Sequence, residues 1–286
     1  MTTQNTELNS RVKAQIELKS ICVMKNNSNG TKEWSTESAN FISGCNNDCK
    51  YCFSKATAIY NKRKTQENWK EEVVKLNKLS KGWRLRKDGR IMFPSSHDIT
   101  PQHLPEAIQF LRNILLPGNQ VLIVSKPHLE CIKAICNEFV NYKDKILFRF
   151  TIGSSDNDVL KFWEPGAPSF ENRIASLKYA YEAGYATSIS CEPMLDNNID
   201  EVIDIARHFV NHSIWLGKMS KMKQRLEMNT PITDELKEKA NQLYAWQLDD
   251  KIRALYDRYK NDPLIRWKGE IKTIVGLPIG KVGSDE

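Results

Sequence analysis

The chain has 286 residues, of which 42 are basic and 35 acidic, giving a formal net charge of +7. No apolar run approaches the ~20 residues of a membrane span, and the N-terminal sequence MTTQNTELNSRVKAQ lacks the apolar core of a signal peptide. Seven cysteines without such a signal argue against a disulfide framework. These features exclude a secreted disulfide scaffold and a membrane-spanning protein, and they predict a cytoplasmic protein with one large core.

The chain divides by composition into three regions. Residues 1–35 are polar, with one short apolar patch at Ile21–Met24, and predict an N-terminal extension lying over the fold. Strand-like and helix-like segments alternate through residues 36–218. Residues 219–286 predict a C-terminal helix and a short strand packed on the rest.

Three cysteines, Cys45, Cys49 and Cys52, follow a predicted strand at Asn40–Gly44 with the spacing C-x3-C-x2-C. Thiolates favour zinc or iron–sulfur clusters. Structural zinc usually takes four ligands, commonly from two separated pairs, and no second group of cysteines follows downstream. A cubane [4Fe-4S] cluster normally takes four cysteines, so three leave one iron open to bind a substrate. The alternatives are an incomplete zinc site or a chance grouping.

The next segment, Asn61–Arg90, holds eleven basic and four acidic residues, with Trp69 and Trp83 among them. Clustered cations with aromatic rings suit a nucleic-acid backbone and stacked bases. The alternative is a solvated amphipathic helix around Trp69–Leu79, with Val73, Val74, Leu76 and Leu79 on its buried face. Because the segment follows the cysteine loop, we expect it near the cofactor end of the fold.

Strands and helices then alternate to the end of the second region. Thr100 and Pro101 indicate a helix start, and Val121–Val124 is a continuous apolar run typical of a buried parallel strand. The predicted strands are Arg90–Pro94, Gln120–Ser125, Lys145–Thr151, Tyr185–Ser190 and Ser213–Leu216. The predicted helices are Thr100–Leu115, His128–Phe139, Ser169–Gly184 and Asp200–Val210. Together with Asn40–Gly44 this makes six strands, which predicts a parallel α/β barrel or open sheet.

The third region predicts one long helix and a short strand. Thr233 caps the helix, Pro263 stops it, and Ile271–Gly276 is predicted as the strand. No cysteine follows Cys191, so an auxiliary cluster domain is not expected.

In β/α barrels the working residues lie at the carboxyl ends of strands. That rule selects polar residues after several of the predicted strands, suited to bind a zwitterionic or sugar-containing ligand. They include Ser95, Ser96, His97, Asp98, Ser125, Lys126, Thr151, Ser154, Ser155, Glu192, Lys218 and Ser220. For any one of them, an ordinary polar loop residue is the alternative.

The cysteine loop, with the aromatic Tyr51 before its third cysteine, resembles the signature of the radical SAM superfamily. Further stretches resemble its spore photoproduct lyase-like branch: Phe93–Ile99, Ile123–Lys126, Phe148–Ile152, and Trp163–Ser169 with Arg173. The resemblance implies a partial (β/α)6 barrel of the TIM type. It also implies a [4Fe-4S] cluster and S-adenosylmethionine (SAM) as cofactors, with a reductant such as flavodoxin or ferredoxin as partner.

The resemblance also implies roles for individual residues. Lys126 and Thr151 match residues that contact SAM, and Ser96 or His97 would approach its methionine carboxylate. Glu164 and Arg173 look like paired charges of the family, or equally a structural salt bridge.

One departure concerns the hydrogen-atom donor. Spore photoproduct lyase carries a cysteine on the loop after its second strand, and this chain has Ser95 at the best-matching position. An O–H bond is too strong for that role, which argues against true spore photoproduct repair. Cys191, at a strand end, is the candidate substitute donor. The alternative for it, as for Cys22, Cys131 and Cys136, is a small buried apolar residue.

Overall fold

The computed structural model describes residues 30–285. Ile21–Met24, Cys22 and most of the predicted N-terminal extension lie outside the described residues. The described chain is built on a parallel sheet of seven strands flanked by helices, so the predicted α/β class is confirmed. In spatial order the strands are β1 (Glu37–Ser38), β4 (Ile91–Phe93), β5 (Val121–Ser125), β6 (Ile146–Thr151), β7 (Ala186–Cys191), β8 (Ser213–Leu216) and β9 (Ile265–Trp267).

The helices occupy the connections between these strands, as expected for parallel neighbours. In the first half of the chain they are α1 (Phe53–Tyr60), α2 (Leu76–Leu79), α3 (Leu104–Leu115), α4 (Leu129–Glu138), α5 (Asn157–Trp163) and α6 (Phe170–Glu182). In the second half they are α7 (Ile199–Ala206), α8 (Met222–Asn229), α9 (Asp234–Trp246), α10 (Asp249–Tyr259) and α11 (Gly269–Val275). Within residues 30–285, no helix is both long and apolar enough to span a membrane.

The two faces of the sheet carry separate cores. One face packs Ile123, Phe148 and Ile189 against the apolar side chains of the helices. The other, interior face carries a smaller cluster of Trp34, Met92, Leu122, Leu147 and Trp215. Neighbouring strands are in register across this face, where Leu122 pairs with both Met92 and Leu147. Burial of both faces explains the near-continuous apolar strands.

A charged side chain, Arg149, lies fully buried on the interior face at the middle of β6. Its guanidinium lies between the rings of Trp34 and Trp215, 4.8 and 5.4 Å from their centroids. Asp285 is paired with it at 2.8 Å and also pairs with Arg90 at 3.2 Å. Arg90 directly precedes β4, so this ion-pair network closes the amino edge of the sheet.

The strand predicted at Asn40–Gly44 is wrong as the first strand of the main sheet. That position belongs to β1, which pairs with β4. Ile42–Ser43 (β2) instead forms a separate antiparallel pair with Val73–Val74 (β3). The amphipathic helix proposed around Trp69–Leu79 is therefore also wrong, since only α2 is helical there. Val73 and Leu76 are exposed, not on a buried face.

The C-terminal elements differ from the prediction in two ways. The long helix after Thr233 is two helices, α9 and α10, separated at Gln247–Leu248. The predicted strand at Ile271–Gly276 is wrong, because this stretch is the end of α11, where Gly276 adopts a positive φ of 78°. The strand lies earlier, at β9, and pairs with β8.

The basic segment does not stay at one end of the fold. Its first part contacts the cysteine loop, where the Cys45 amide donates to the Trp69 carbonyl at 3.1 Å. Its last part runs beside the amino edge: the amide of Arg86 donates to Asn119, just before β5, at 2.7 Å. The expectation that the whole of Asn61–Arg90 lies near the cofactor end is therefore wrong.

Candidate active site

The three-cysteine loop lies at the carboxyl edge of the sheet and is held from several sides. The Lys50 amide donates to the Trp163 carbonyl at 2.9 Å, and the Gly166 amide donates to the Asn47 carbonyl at 3.0 Å. A Cβ at Gly166 would lie 2.0 Å from the Asn46 carbonyl oxygen, so only glycine permits this approach. The α5–α6 connection therefore fixes the loop backbone from one side.

Asn229, at the end of α8, fixes the loop from a second side. Its amide nitrogen donates to the carbonyl oxygens of Lys50 and Cys52, at 2.9 Å each. Cys52 in turn caps α1, since its sulfur accepts from the Lys55 amide at 3.3 Å. Asn229 thus bonds two loop residues that precede it in the chain by 179 and 177 positions.

Asp98, after β4, is the third anchor. Its carboxylate accepts from the Asn47 side chain at 2.7 Å and from the Lys126 amide at 2.9 Å, and it also bonds the Ser125 hydroxyl. One buried carboxylate thus joins the cysteine loop to the ends of β4 and β5. Asp98 belongs to the predicted strand-end run Ser95–Asp98, but its partners on the cysteine loop and after β5 could not be predicted from that position.

The thiols of this loop are the candidate metal ligands. Cys45 and Cys49 are buried, and Cys52 is partly exposed. Burial, followed by the charges of Asp98 and the other two cysteines, raises the pKa of Cys45 well above its usual range. Burial raises the pKa of Cys49 to about 12, although Lys126 opposes this. These thiols therefore need a strongly positive partner to become thiolates.

Within residues 30–285, no three His, Cys, Asp or Glu side chains converge tightly enough to hold a single metal ion. Three ligands of one zinc would each lie about 2.0–2.3 Å from it. In a cubane cluster, by contrast, each cysteine binds its own iron, so the sulfurs stay further apart. Three thiols on one loop suit a cluster in which each cysteine binds its own iron.

A buried charge network lies beside Cys49. Glu164 pairs with Arg173 at 2.6 Å, approaches Lys126 at 3.7 Å, and accepts a hydrogen bond from the Tyr51 hydroxyl. Burial opposes ionisation of Glu164, but Arg173 and Lys126 outweigh it and lower its pKa overall. Arg173 also donates to the carbonyl oxygens of Pro168 and Thr151. Lys126, Glu164 and Arg173 all act electrostatically on Cys49, and Arg173 is fully buried among its partners.

Ser96 and His97 differ in what they can still bind. The His97 ring accepts from the Phe41 amide at 3.4 Å through Nε2, and its Nδ1 lies 2.9 Å from the Asp98 carbonyl oxygen. Burial lowers the pKa of His97 to about 4, so the ring is neutral at pH 7. Ser96 is only half-buried. Ser96 is therefore the better placed of the two for a ligand carboxylate.

The remaining predicted residues lie at strand ends with differing partners. Thr151 ends β6, opposite Ser190 on β7. Ser154 is fully buried and bonds Asp196 and the Asp156 amide, so it orders its own loop. Ser95 is tied to Asn40, whose side chain donates to the serine hydroxyl at 2.8 Å.

Cys191, the candidate hydrogen-atom donor, is fully buried at the end of β7. Because side chains alternate along a strand, it shares a face with Ile189, which packs against the helices. Ser190 occupies the interior face instead. This position favours the apolar-residue alternative for Cys191.

A profile described as the radical SAM superfamily matches residues 39–209, more than half of the chain. The chain belongs to the radical SAM superfamily, a class of enzymes, and both the predicted family and the predicted enzyme class are confirmed. The matched region contains the cysteine loop and four of the seven main-sheet strands.

Individual relatives are more distant. The uncharacterized protein ORF301 of Acidianus two-tailed virus is 24% identical over 173 residues, and the match covers 56% of this chain and 56% of that protein. The chain thus aligns with about half the length of this curated relative.

Solved structures share the fold. A spore photoproduct lyase mutant with dinucleoside spore photoproduct has a TM-score of 0.53 at 17% identity, over 85% of this chain and 79% of that chain. SuiB of Streptococcus suis bound to S-adenosylmethionine has a TM-score of 0.51 at 12% identity, over 85% of this chain and 52% of the other. At such identities the likeness establishes the fold alone.

Proposed function

We propose that the protein is a radical SAM enzyme in which Cys45, Cys49 and Cys52 bind a [4Fe-4S] cluster and leave one iron for SAM. The observation that carries this is the three-cysteine loop, fixed at the carboxyl edge of the sheet by Asp98 and Asn229. When bound, the cluster supplies the electron that cleaves SAM to a 5′-deoxyadenosyl radical, which abstracts hydrogen from a substrate. The electron would come from a reductant such as flavodoxin or ferredoxin.

The surrounding side chains suit the binding of SAM. Lys126 provides a cation beside the loop for the methionine carboxylate, and Ser96 a second donor. Thr151 lies at the neighbouring strand end for the polar groups of the ligand. Four further predicted residues support this arrangement through hydrogen bonds. Tyr51 bonds Glu164, and His97 bonds the Phe41 backbone. Ser154 bonds the Asp156 amide, and Arg173 bonds the Thr151 carbonyl.

A second function of a different class is an iron–sulfur protein that binds, senses or transfers electrons without consuming SAM. Anaerobic reconstitution, followed by dithionite and SAM, separates the two. A radical SAM enzyme forms 5′-deoxyadenosine under these conditions, and the appearance of iron–sulfur absorption without this product would overturn the proposal.

The position of the basic segment argues against a nucleic acid entering the barrel mouth. Residues 61–75, near the cysteine loop, hold five basic and three acidic residues, whereas residues 76–90 hold six basic and one acidic. The stronger positive charge therefore lies along the side and amino edge of the fold. A nucleic acid bound there would be tethered rather than inserted; a peptide or small molecule is the alternative at the barrel mouth.

The absence of a thiol at Ser95 gives a further test. We expect reductive SAM cleavage but no efficient repair of spore photoproduct, because neither Ser95 nor the helix-facing Cys191 can return a hydrogen atom to a product radical in the interior. Multiple-turnover repair of ultraviolet-irradiated spore-type DNA would contradict this.

A further inference from the structure

A second group of charged side chains lies at the carboxyl edge, on the other half of the sheet. Glu192 follows β7, Arg225 lies on α8 after β8, and Glu270 lies in the first turn of α11 after β9. The residues proposed to contact SAM follow β4, β5 and β6, the opposite half in strand order. The two groups therefore belong to different sides of the partial barrel.

Glu270 is the unusual member of this group. Both of its carboxylate oxygens are buried, and neither accepts a hydrogen bond from another residue. Lys268, two residues before Glu270, is already shared, since its ammonium lies 3.2 Å from Glu33 and 3.3 Å from Glu192. Lys268 also lies over the Trp34 ring at 4.1 Å, which places this cluster in the barrel interior.

Arg225 connects the cluster to the cysteine loop. Its Nε is buried without a hydrogen-bond partner, and its guanidinium lies 5.5 Å from the centre of the Phe53 ring, next to Cys52. Burial lowers the pKa of Arg225, while Glu192, Cys52 and Glu270, in that order, raise it. A group bound between Arg225 and Glu270 would therefore lie beside the cysteine loop.

The neighbouring cations do not donate to the Glu270 oxygens. Lys268 is shared between Glu33 and Glu192, and no hydrogen bond from the described residues reaches either Glu270 oxygen. Burial first, and then the charge of Glu192, raises the pKa of Glu270 to about 7. Buried polar atoms in folded proteins nearly always have partners, including water or a ligand. A cation with N–H donors would satisfy the Glu270 oxygens.

We propose that Glu270 and Glu192 bind a protonated amine of the substrate, and that Arg225 contacts an oxygen next to that amine. This inference rests on the proposed radical SAM function and names its substrate class, a compound with an ammonium group beside an oxygen acceptor. The ammonium donates to the two carboxylates, and the Arg225 Nε donates to the oxygen. Both unpartnered groups are then satisfied by one ligand placed beside the cysteine loop.

The test uses reconstituted protein labelled with ¹³C at the glutamate carboxyl carbons. The probes are 2-aminoethanol, its neutral counterpart ethylene glycol and the anion glycolate. We expect 2-aminoethanol, in the millimolar range, to shift the two carboxyl signals that disappear in Glu192→Gln and Glu270→Gln. The neutral and anionic probes leave those signals in place. Equal shifts with all three probes, or none with 2-aminoethanol, would overturn the proposal.

Variants and SAM itself complete the test. Glu270→Gln should weaken 2-aminoethanol binding at least about tenfold, whereas Glu238→Gln, on the exposed face of α9, should leave it unchanged. Circular dichroism checks folding, and Glu192→Gln serves as the second variant. If SAM alone shifts both signals and blocks 2-aminoethanol, the carboxylates bind the methionine ammonium of SAM and the proposal is overturned.

Failure of the proposed function would look different. Absence of 5′-deoxyadenosine in the cleavage assay sinks the radical SAM assignment, whatever the carboxyl signals do. Normal SAM cleavage with unmoved carboxyl signals sinks only the amine site.

Discussion

The two ends of the same sheet are built differently. At the amino edge, Asp285 pairs with Arg149 and Arg90, and the indole rings of Trp34 and Trp215 enclose the guanidinium of Arg149. At the carboxyl edge, Glu270 and Arg225 have buried polar atoms without partners, and thiols lie in a rigid loop. In β/α barrels, stability resides at the amino edge and chemistry at the carboxyl edge. This division gives each end its own expected response to substitution.

The largest expected effect is at the cysteine loop. Cys49→Ala should abolish iron–sulfur absorption and SAM cleavage, because the loop holds no cysteine besides Cys45, Cys49 and Cys52 that could replace it. Cys136→Ala is the matched control; it removes a buried thiol from α4, on the helix-facing side, and should leave iron content unchanged. Equal loss of iron in the control would break the assignment of the cluster ligands. Iron analysis and visible absorption provide the measurement.

At the amino edge, Asp285→Ala should lower the free energy of unfolding by about 3–5 kcal/mol, because it leaves the buried Arg149 guanidinium without its carboxylate. Asp250→Ala, which removes an exposed carboxylate beside Lys251, should cost less than about 1 kcal/mol. Urea denaturation measures both. If Asp285→Ala changed SAM cleavage by the folded protein instead of stability, the two ends would not be functionally separate.

Glu270→Gln should change how stability depends on pH. The folded protein raises the pKa of this carboxyl from 4.5 to about 7, so the fold binds the proton more tightly than the unfolded chain does. The associated stabilisation is complete below about pH 4.5 and is lost as pH rises through about 7, by on the order of 3 kcal/mol. The glutamine variant should lack this loss. Identical pH profiles by urea denaturation would mean that Glu270 is already partnered in solution.

The smallest expected effect concerns the basic surface of residues 76–90. Replacing Arg84, Arg86 and Lys87 with Glu should weaken binding of single-stranded or duplex nucleic acid more than tenfold at low salt, about 1.4 kcal/mol or more. SAM cleavage without substrate should be unchanged, because these residues lie away from the cysteine loop. If the variant binds nucleic acid as well as the parent protein does, these residues form an ordinary solvated surface and not a nucleic-acid site.

The sequence predicted the parallel α/β class and most helices because apolar periodicity and caps report local structure. Short elements escaped it: β1 has two residues, and β9 only three. Ile271–Gly276 was misassigned because β-branched residues favour strands, while Gly276 was the helix-end signal that should have outweighed them.

For the candidate site, the three cysteines could be predicted as ligands because their spacing is local in the sequence. The partners of the loop are not, since Asn229 and Asp98 lie far from it along the chain. The same holds for the charged interior, where Arg149 sits within an otherwise apolar strand run and its partner Asp285 is 136 residues away. Nothing local marks Glu270 as buried without a partner.

The hydrogen bonds from Asn229 and Asp98 to the cysteine loop have a consequence for maturation of the protein. Protein groups distant in the chain make these bonds, so the entropy of ordering the loop is lost when the fold forms. A folded apoprotein would then bind a preassembled cluster without further ordering of the loop. Oxidative loss of the cluster would likewise leave a reloadable protein rather than an unfolded one.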